Sequence, residues 1–391
     1  MGGLGKRVFV IGTRGFPHVQ GGVERHCEEL YPRLGARGYS ITVFRRRPYV
    51  QPAPPDEPFT NVTFVDLWCP RVQGAEALYH SVVAALYAIV RRPALVHVHN
   101  IGPGLVVPLL RLFGLRVLVT YHTKNYEHDK WGPLGRALLR LGESVTLNLS
   151  HYVIFVSKVV MENMGERAKR PHSYIPNGVA PPALDASDCP LEAYGLREGR
   201  YLLAVGRLTR EKGFDILLEA FRGVKTDWNL VIVGGADHET DHSRALREAA
   251  HRDPRVVMPG PLFGEDLAGL YRHAGCFALP SRAEAMPIAL LEAFSYGLPT
   301  VMSDLAVSAA VAEGQPFART FAQGSAADLV AVLEQALSDE AFLASGRNAS
   351  TFVMQRYNWD SVADETATAY DRVVGVHVTQ PAADGRSDGD N

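Results

Sequence analysis

Cysteine is scarce in this chain of 391 residues. The four cysteines, Cys27, Cys69, Cys189 and Cys276, are scattered, and no two of them form a C-x-x-C pair. This spacing favours neither a disulfide framework nor a thiolate metal site. A reducing cytoplasm is therefore the expected location.

The chain also lacks a long apolar run. Its beginning, MGGLGKRVFVIG, leads directly into a predicted strand, without the apolar core and cleavage site of a signal peptide. The run SVVAALYAIV, residues 81–90, is followed by two arginines and is too short to span a bilayer. Any attachment to a membrane is expected to be peripheral, at the inner face.

The chain as a whole has no large excess of either charge, since its net charge is −2, but its two halves differ in net charge. Residues 1–180 hold 22 Lys and Arg against 12 Asp and Glu, a net +10, and the rest of the chain has a net −12. The basic half could face anionic lipid or an acidic acceptor, or simply match an acidic partner domain. Without a recognised binding module, this charge does not predict a nucleic-acid partner.

Several catalytic signatures are absent. The chain has no G-x-G-x-x-G and no P-loop, and the G-x-S-x-G and D-x-D matches in GRSDGDN, residues 385–391, lie in the terminal tail rather than after a predicted strand. HETDH, residues 238–242, matches the zinc pattern H-E-x-x-H, yet it directly follows a strand and two glycines. An exposed loop leading into a helix N-cap is therefore expected there, and His97 and His99 are expected to alternate on a buried strand. No metal and no cofactor are predicted.

Alternating strand and helix patterns fill both halves of the chain. Short β-rich runs such as RVFVIG and ALVHVHN alternate with amphipathic helices, and the pattern restarts at RYLLAVGR after a Pro-rich crossing. This predicts an α/β protein with two Rossmann-like doubly wound domains facing across a cleft, and a closing C-terminal helix. The expected divisions are an N-terminal Rossmann-like domain at 1–178, a linker at 179–199, a second Rossmann-like domain at 200–360, the closing helix at 361–378 and a disordered tail at 379–391.

A turn in the second half resembles an anion site. In VGRLTREKGFDILLEAF, a strand ends at Gly206, Arg207 follows, and Lys212 precedes an amphipathic helix. Two cations beside free helix N–H groups can hold a pyrophosphate without a metal, although they could also be ordinary surface charges. Gly21 and Gly22 likewise precede a helix, where backbone can approach a ligand closely or merely form a turn.

Two glutamates lie eight residues apart in SRAEAMPIALLEAFSYG, residues 281–297. Burying an unpaired carboxylate is costly, so without ligand Glu284 and Glu292 are each expected to be hydrated or paired with a nearby cation. Pro287 predicts a helix that starts between them, with Glu284 in the loop and Glu292 two turns into the helix.

Together, the Gly21–Gly22 pair, the G-R-x4-K turn, the E-x7-E pair and the strand LPTVMSD resemble glycosyltransferase family 4, retaining enzymes of the GT-B fold. The resemblance covers about residues 7–375. GFPHVQGGVERHCEEL and HTKNYEHDKWG look like the branch for bacterial cell-surface polysaccharide synthesis, which includes rhamnosyltransferases. The segment after LPTVMSD departs from the Gly-rich turn of many relatives, which puts the loop over the pyrophosphate in doubt.

The resemblance implies that the domain at 1–178 is the acceptor side and that the domain at 200–360 binds the nucleotide sugar. It also implies roles for particular residues. Arg207 and Lys212 would neutralise the leaving nucleotide diphosphate, Glu284 would bind donor sugar hydroxyls, and Glu292 the ribose. The other implied donor-side residues are Gly21, Gly22 and Gly206, the backbone around Met286, Pro287 and Ile288, and the nucleobase loop Pro261, Leu262 and Phe263.

His122 matches a family histidine near the reacting centre, although a strand-end histidine satisfied by its neighbours is the alternative. Arg14, His18, Tyr126 and Lys130 are placed on the acceptor side. Since Pro287 has no N–H, one donor that many relatives provide is absent here.

The predicted function is retaining transfer of a sugar from a nucleoside-diphosphate donor to the hydroxyl of a glycan, glycolipid or small molecule. No carboxylate stands out as a nucleophile, so departure of the diphosphate is expected to be stabilised by Arg207, Lys212 and helix N-termini. A nucleotide-sugar 2-epimerase and a non-catalytic nucleotide-sugar-binding protein remain as alternatives.

Overall fold

Two parallel β-sheets organise the protein. The computed structural model describes residues 6–50, 59–72, 75–124, 126, 131–182 and 191–375. Lys130, part of the predicted linker and the predicted tail lie outside the described residues.

The first sheet has seven strands in the order β3-β2-β1-β4-β5-β6-β7 and the second has six in the order β10-β9-β8-β11-β12-β13. In each sheet the strand order reverses next to the first strand, between β1 and β4 and between β8 and β11, which is where doubly wound sheets bind ligands. The strands are β1 Arg7–Ile11, β2 Ser40–Arg46, β3 Val62–Leu67, β4 Leu95–His99, β5 Val117–Tyr121, β6 Tyr152–Phe155, β7 His172–Tyr174, β8 Tyr201–Val205, β9 Asn229–Val233, β10 Val256–Gly260, β11 Cys276–Leu279, β12 Thr300–Ser303 and β13 Ala318–Phe321.

Helices connect successive strands and cover the sheets. They are α1 Gly22–Ala36, α2 Ala75–Arg91, α3 Val107–Leu112, α4 Pro133–Leu149, α5 Lys158–Met164, α6 Phe214–Gly223, α7 Asp241–Ala250, α8 Gly264–His273, α9 Ile288–Ser295, α10 Ala306–Ala312, α11 Ala326–Ser338, α12 Glu340–Ser345, α13 Arg347–Arg356 and α14 Trp359–Val374.

The core of the first domain is completed by the C-terminal end of the chain. Helix α14 packs against α1, and its Trp359 and Tyr370 are buried with the residues of β1 and β2. Arg37 pairs with Asp364 at 2.6 Å, and the Tyr39 hydroxyl donates to Asp371 at 2.9 Å. The opposite face of this sheet is covered by α2, α3 and α4, which contact one another in that order.

The prediction of two doubly wound domains is confirmed, and two short strands were missed. Strand β7 lies at the start of the Pro-rich stretch at 171–190, which the sequence pattern indicates as the interdomain crossing, and β13 was not predicted. Both are edge strands of three or four residues, too short to show the alternation of apolar and polar side chains on which strand prediction depends.

Candidate active site

The turn after β8 presents both predicted cations at the carboxyl edge of the second sheet. The strand ends at Val205, Gly206 and Arg207 follow, and a short 3-10 turn brings the chain through Lys212. Gly213 then adopts a φ of 68°, and a Cβ there would collide with the backbone carbonyl of Pro280. Only glycine fits this close approach, which fixes Lys212 beside the loop that follows β11.

Both cations pair with carboxylates. The Lys212 ammonium lies 2.6 Å from Glu284 Oε1, which also accepts a 2.7 Å hydrogen bond from the Ser281 hydroxyl. Arg207 lies 3.2 Å from Asp237 Oδ2. Burial alone would raise the pKa of Asp237, but its pairing with Arg14 and Arg207 outweighs this and holds the pKa below its usual value.

Glu292 lies on α9, where it meets the first domain. Its carboxylate accepts from the Tyr271 hydroxyl at 3.1 Å and pairs with Arg25 of α1 at 3.3 Å. Burial raises the pKa of Glu292, and Arg25 offsets only part of that effect. The expected pairing of both glutamates with cations is thus confirmed.

Helix α9 begins directly after Pro287, as predicted, and Glu292 lies one turn into the helix rather than two. The Met286 carbonyl accepts from the Asn177 side chain at 3.1 Å, and the Met286 sulfur accepts from the Asn177 N–H. Among the described residues, the N–H groups of Met286 and Ile288 have no acceptor within hydrogen-bonding distance. They are available to a ligand at the positive end of α9.

The start of α1 forms the opposite wall of the cleft. Gly21 has a φ of 151°, and a Cβ there would collide with the side chains of Arg14 and Glu24, which pair at 2.9 Å. At Gly22, by contrast, a Cβ would meet nothing within 4 Å. Burial alone would raise the pKa of Glu24, but its pairing with Arg14 holds it below its usual value.

Contacts across the cleft join the two walls. Arg14 pairs with Asp237, the partner of Arg207, so a chain of alternating charges runs from one domain to the other. The Gly235 N–H donates to the Gln20 side chain at 3.0 Å. Arg14, predicted on the acceptor side, is buried within this bridge.

His122 belongs to a buried cluster of imidazoles. Its Nε2 lies 2.9 Å from Nδ1 of His99, whose ring contacts Tyr31 and His97, and the ring of His26 lies 4.9 Å away. His26 Nδ1 lies 2.8 Å from Asn177 Oδ1. Because Asn177 also donates to the Met286 carbonyl, it connects this cluster to the loop before α9 of the second domain.

Burial keeps these imidazoles neutral. It lowers the pKa of His26 to about 4 and the pKa values of His97, His99 and His122 well below the usual value. His26, His99 and His122 each offer a ring nitrogen within 4.8 Å of the others, so they are the described residues that could hold a metal ion. The expectation that none is needed stays a prediction.

The predicted nucleobase loop lies between β10 and α8, beside the first domain. The ring of Phe263 lies 6.0 Å from that of His18, and a Cβ at Gly235 would lie 3.5 Å from Pro261. Leu262 packs partly buried against the core. Tyr126 lies apart from these residues, with its hydroxyl donating to the buried Glu143 at 3.0 Å.

The H-E-x-x-H match at residues 238–242 does not lie on one helix. Thr240 caps α7, which starts at Asp241, so His238 precedes the helix and His242 lies within it. The expected loop and N-cap are confirmed.

Sequence reasoning missed the partners of the predicted site residues, some of which connect the domains: Gln20, Arg25, His26, Asn177, Asp237 and Tyr271. Arg25 and His26 follow Gly21–Gly22 by one helical turn, and this spacing was the available signal. Asn177 carries no comparable signal beyond an Asn-Gly turn dipeptide.

Known proteins match both halves of the chain. Residues 20–181 match the family model described as Glycosyltransferase Family 4, and residues 199–339 the model described as Glycosyl transferases group 1. The chain is 28% identical over 377 residues to a Mycobacterium leprae phosphatidyl-myo-inositol mannosyltransferase, covering 91% of this chain and 94% of that protein. Other relatives match over less of their length, such as 54% of an uncharacterized glycosyltransferase of Haemophilus influenzae, which is 27% identical over 49% of this chain.

Solved structures share the fold. Sucrose-phosphate synthase from Thermosynechococcus elongatus has a TM-score of 0.81 at 22% identity, covering 95% of this chain and 100% of that one. Anabaena HepE in complex with UDP and glucose has a TM-score of 0.76 at 16% identity, covering 94% and 100%.

The fold and the two matched models define the class of protein, a glycosyltransferase of the GT-B fold. More narrowly, the chain belongs to glycosyltransferase family 4. Its resemblance to the polysaccharide and rhamnosyltransferase branch stays a prediction.

Proposed function

We propose that the protein transfers a sugar from a nucleoside-diphosphate donor to an acceptor hydroxyl with retention of configuration, in cell-surface polysaccharide or glycoconjugate synthesis. The carrying observation is the convergence of Arg207, Lys212, Glu284 and Glu292 at one edge of the second sheet, facing the start of α1. The names of relatives support a nucleotide-sugar donor, since one is a mannosyltransferase and HepE was solved with UDP.

Binding of the donor would exchange partners within this set. Lys212 and Arg207 would turn from Glu284 and Asp237 to the diphosphate, and Glu284 would accept from sugar hydroxyls. The free N–H groups at the start of α9 and the open backbone at Gly22 would approach the phosphates. Glu292, fixed by Tyr271, would accept from the ribose.

The chemical step would need no protein nucleophile. Preorganised cations and helix N-termini would stabilise the departing diphosphate, and the leaving phosphate oxygen would take the acceptor proton on the same face of the sugar. His122 would lie near the reacting centre as a neutral hydrogen-bonding group, because burial lowers its pKa well below the usual value.

The acceptor is proposed to be a glycan, a glycolipid or a small molecule, bound on the first domain. We also propose a cytoplasmic location with peripheral contact at the inner membrane face, which the net +10 of residues 1–180 supports. Among the described residues, no helix combines the length and apolarity needed to cross a bilayer.

Incubation with a panel of nucleotide sugars and acceptors tests this function against its alternatives. A new glycoside is expected. An epimerised donor would support the 2-epimerase, and binding without turnover would support a nucleotide-sugar-binding protein.

The same assay with a chelator tests the proposal that leaving-group stabilisation is metal-free. Activity should persist after chelation, because Arg207 and Lys212 supply the positive charge. Full inhibition that added divalent metal reverses would contradict it, and would direct attention to His26, His99 and His122.

A further inference from the structure

Helix α2 exposes an apolar face. Its Ala84, Ala85 and Ala88 are buried against the first sheet, while the opposite side exposes Leu86 by 51% and Val90 by 78%. Leu78, Tyr79 and Val82 continue the same stripe toward the start of the helix, and they too are exposed.

Charged side chains are missing from this outward face between residues 77 and 90. His80 and Ser81 are buried, and Glu76 is held by Tyr49 at 2.6 Å and by Arg46 at 3.4 Å. A helix that faces water normally carries polar or charged residues on its outer side. The outward side of α2 is therefore suited to an apolar medium.

The exposed apolar surface extends across the neighbouring helices. Trp68 contacts the Tyr79 ring at 5.6 Å, and Arg92 at the end of α2 donates to the Phe113 carbonyl at the end of α3. On α4, which contacts α3, Leu134, Leu138 and Leu141 are exposed. Every large exposed hydrophobic residue in the described part of the chain lies between residues 68 and 149. We call the outward side of α2, α3 and α4, with Trp68, the apolar face.

The exposed charges in the described residues from 67 to 149 have one sign, and the exposed Asp66 just before this range is paired with Arg45 at 2.7 Å. The described residues from 67 to 149 include two acids, Glu76 and Glu143, and both are mostly buried and paired. The exposed charged residues over the same range are all arginines: Arg71, Arg91, Arg92, Arg116, Arg136 and Arg140. Apolar side chains interspersed with arginines are typical of surfaces that lie in the interface of an anionic bilayer.

We propose that the apolar face docks on a bilayer that contains anionic lipid. A second copy of the chain is a weaker match, because a two-fold contact would bring the same arginines together. A bilayer accommodates both components: the side chains of α2 and α4 enter the acyl boundary, and the arginines contact lipid phosphates. The inference deepens the proposed peripheral membrane contact but does not depend on the chemistry in the cleft.

Flotation of the full chain with lipid vesicles tests the docking. The protein should float with vesicles that contain phosphatidylglycerol, and much less with phosphatidylcholine alone or at high salt. Leu86→Glu with Val90→Glu should abolish flotation, whereas Ala331→Glu, an exposed helical position in the second domain, should not. Arg91→Gln and Arg136→Gln should each weaken binding roughly fivefold, with Arg252→Gln as the matched control.

Two outcomes would overturn the docking. One is an absence of binding to anionic vesicles, and the other is a dimer in sedimentation velocity that Leu86→Glu with Val90→Glu dissociates without any vesicle binding. Turnover of a water-soluble acceptor, measured on the same variants, separates the two proposals. An unsubstituted protein that turns over the acceptor but does not float would contradict only the docking. One that floats but does not turn over the acceptor would contradict only the proposed glycosyl transfer.

Discussion

At the scale of single residues, each of four cations in the cleft is paired with a carboxylate. Arg14 pairs with Glu24, Arg25 with Glu292, Arg207 with Asp237 and Lys212 with Glu284. A diphosphate carries the charge to replace the carboxylates at Arg207 and Lys212, whereas the buried Arg14–Glu24 pair would be costly to separate. The pairs Arg207–Asp237 and Lys212–Glu284 are therefore the ones expected to open on donor binding.

Replacing either Arg207 or Lys212 should impair the chemical step. Arg207→Ala and Lys212→Ala should each lower kcat about a hundredfold or more, because each removes a charged contact to the departing diphosphate. Steady-state kinetics measure this, with Arg210→Ala as a control from the same turn whose side chain is exposed. Near-normal turnover in the Arg207 and Lys212 variants would remove them from the catalytic machinery.

At the scale of elements, four histidines from α1, β4 and the residue after β5 meet under the cleft. They are neutral because they are buried, and the unfolded chain would bind protons on them near pH 6.5. Because burial lowers the pKa of His26 to about 4, the unfolded state binds more protons than the folded state between these values. Stability should therefore be lost as pH falls from about 6.5 toward 4.

His26 alone should contribute about 1.4 kcal/mol per pH unit to this loss. Denaturant unfolding of the protein and of His26→Gln, compared at pH 6 and pH 5, measures the contribution. The free energy of unfolding of the variant should depend less on pH, whatever its absolute value. Equal slopes for the two proteins would contradict the assignment of a buried, neutral His26.

Sequence patterns predicted most elements because buried parallel strands such as VFVI and LVHV are short apolar runs between turn signals. They also predicted the start of α9, since Pro287 has no N–H and fits the position just before a helix. Edge strands β7 and β13 escaped because their few residues carry no clear pattern. The apolar face was not predicted because the sequence of α2 is apolar on two sides, and its periodicity does not indicate which side the sheet covers.

On the scale of the whole molecule, the contacts between the domains could not be predicted from the sequence. Arg14 and Asp237, Gln20 and Gly235, and Arg25 and Glu292 are separated by more than 200 positions, and no local pattern specifies such pairs. The resemblance to a family supplied the motifs on each side of the cleft. Only the structure shows that Asn177 links His26 to Met286 across the two domains, and that α14 packs against α1 of the first domain.

The anomeric configuration of the first-formed product tests the central proposal most directly. Proton NMR of the reaction, started with a donor of known configuration and followed from its first minutes, reads this configuration before any rearrangement. Retention is predicted, because departure and attack would occur on the same face of the sugar, with the diphosphate held by Arg207 and Lys212. An inverted product would contradict that account and would require a general base on the opposite face.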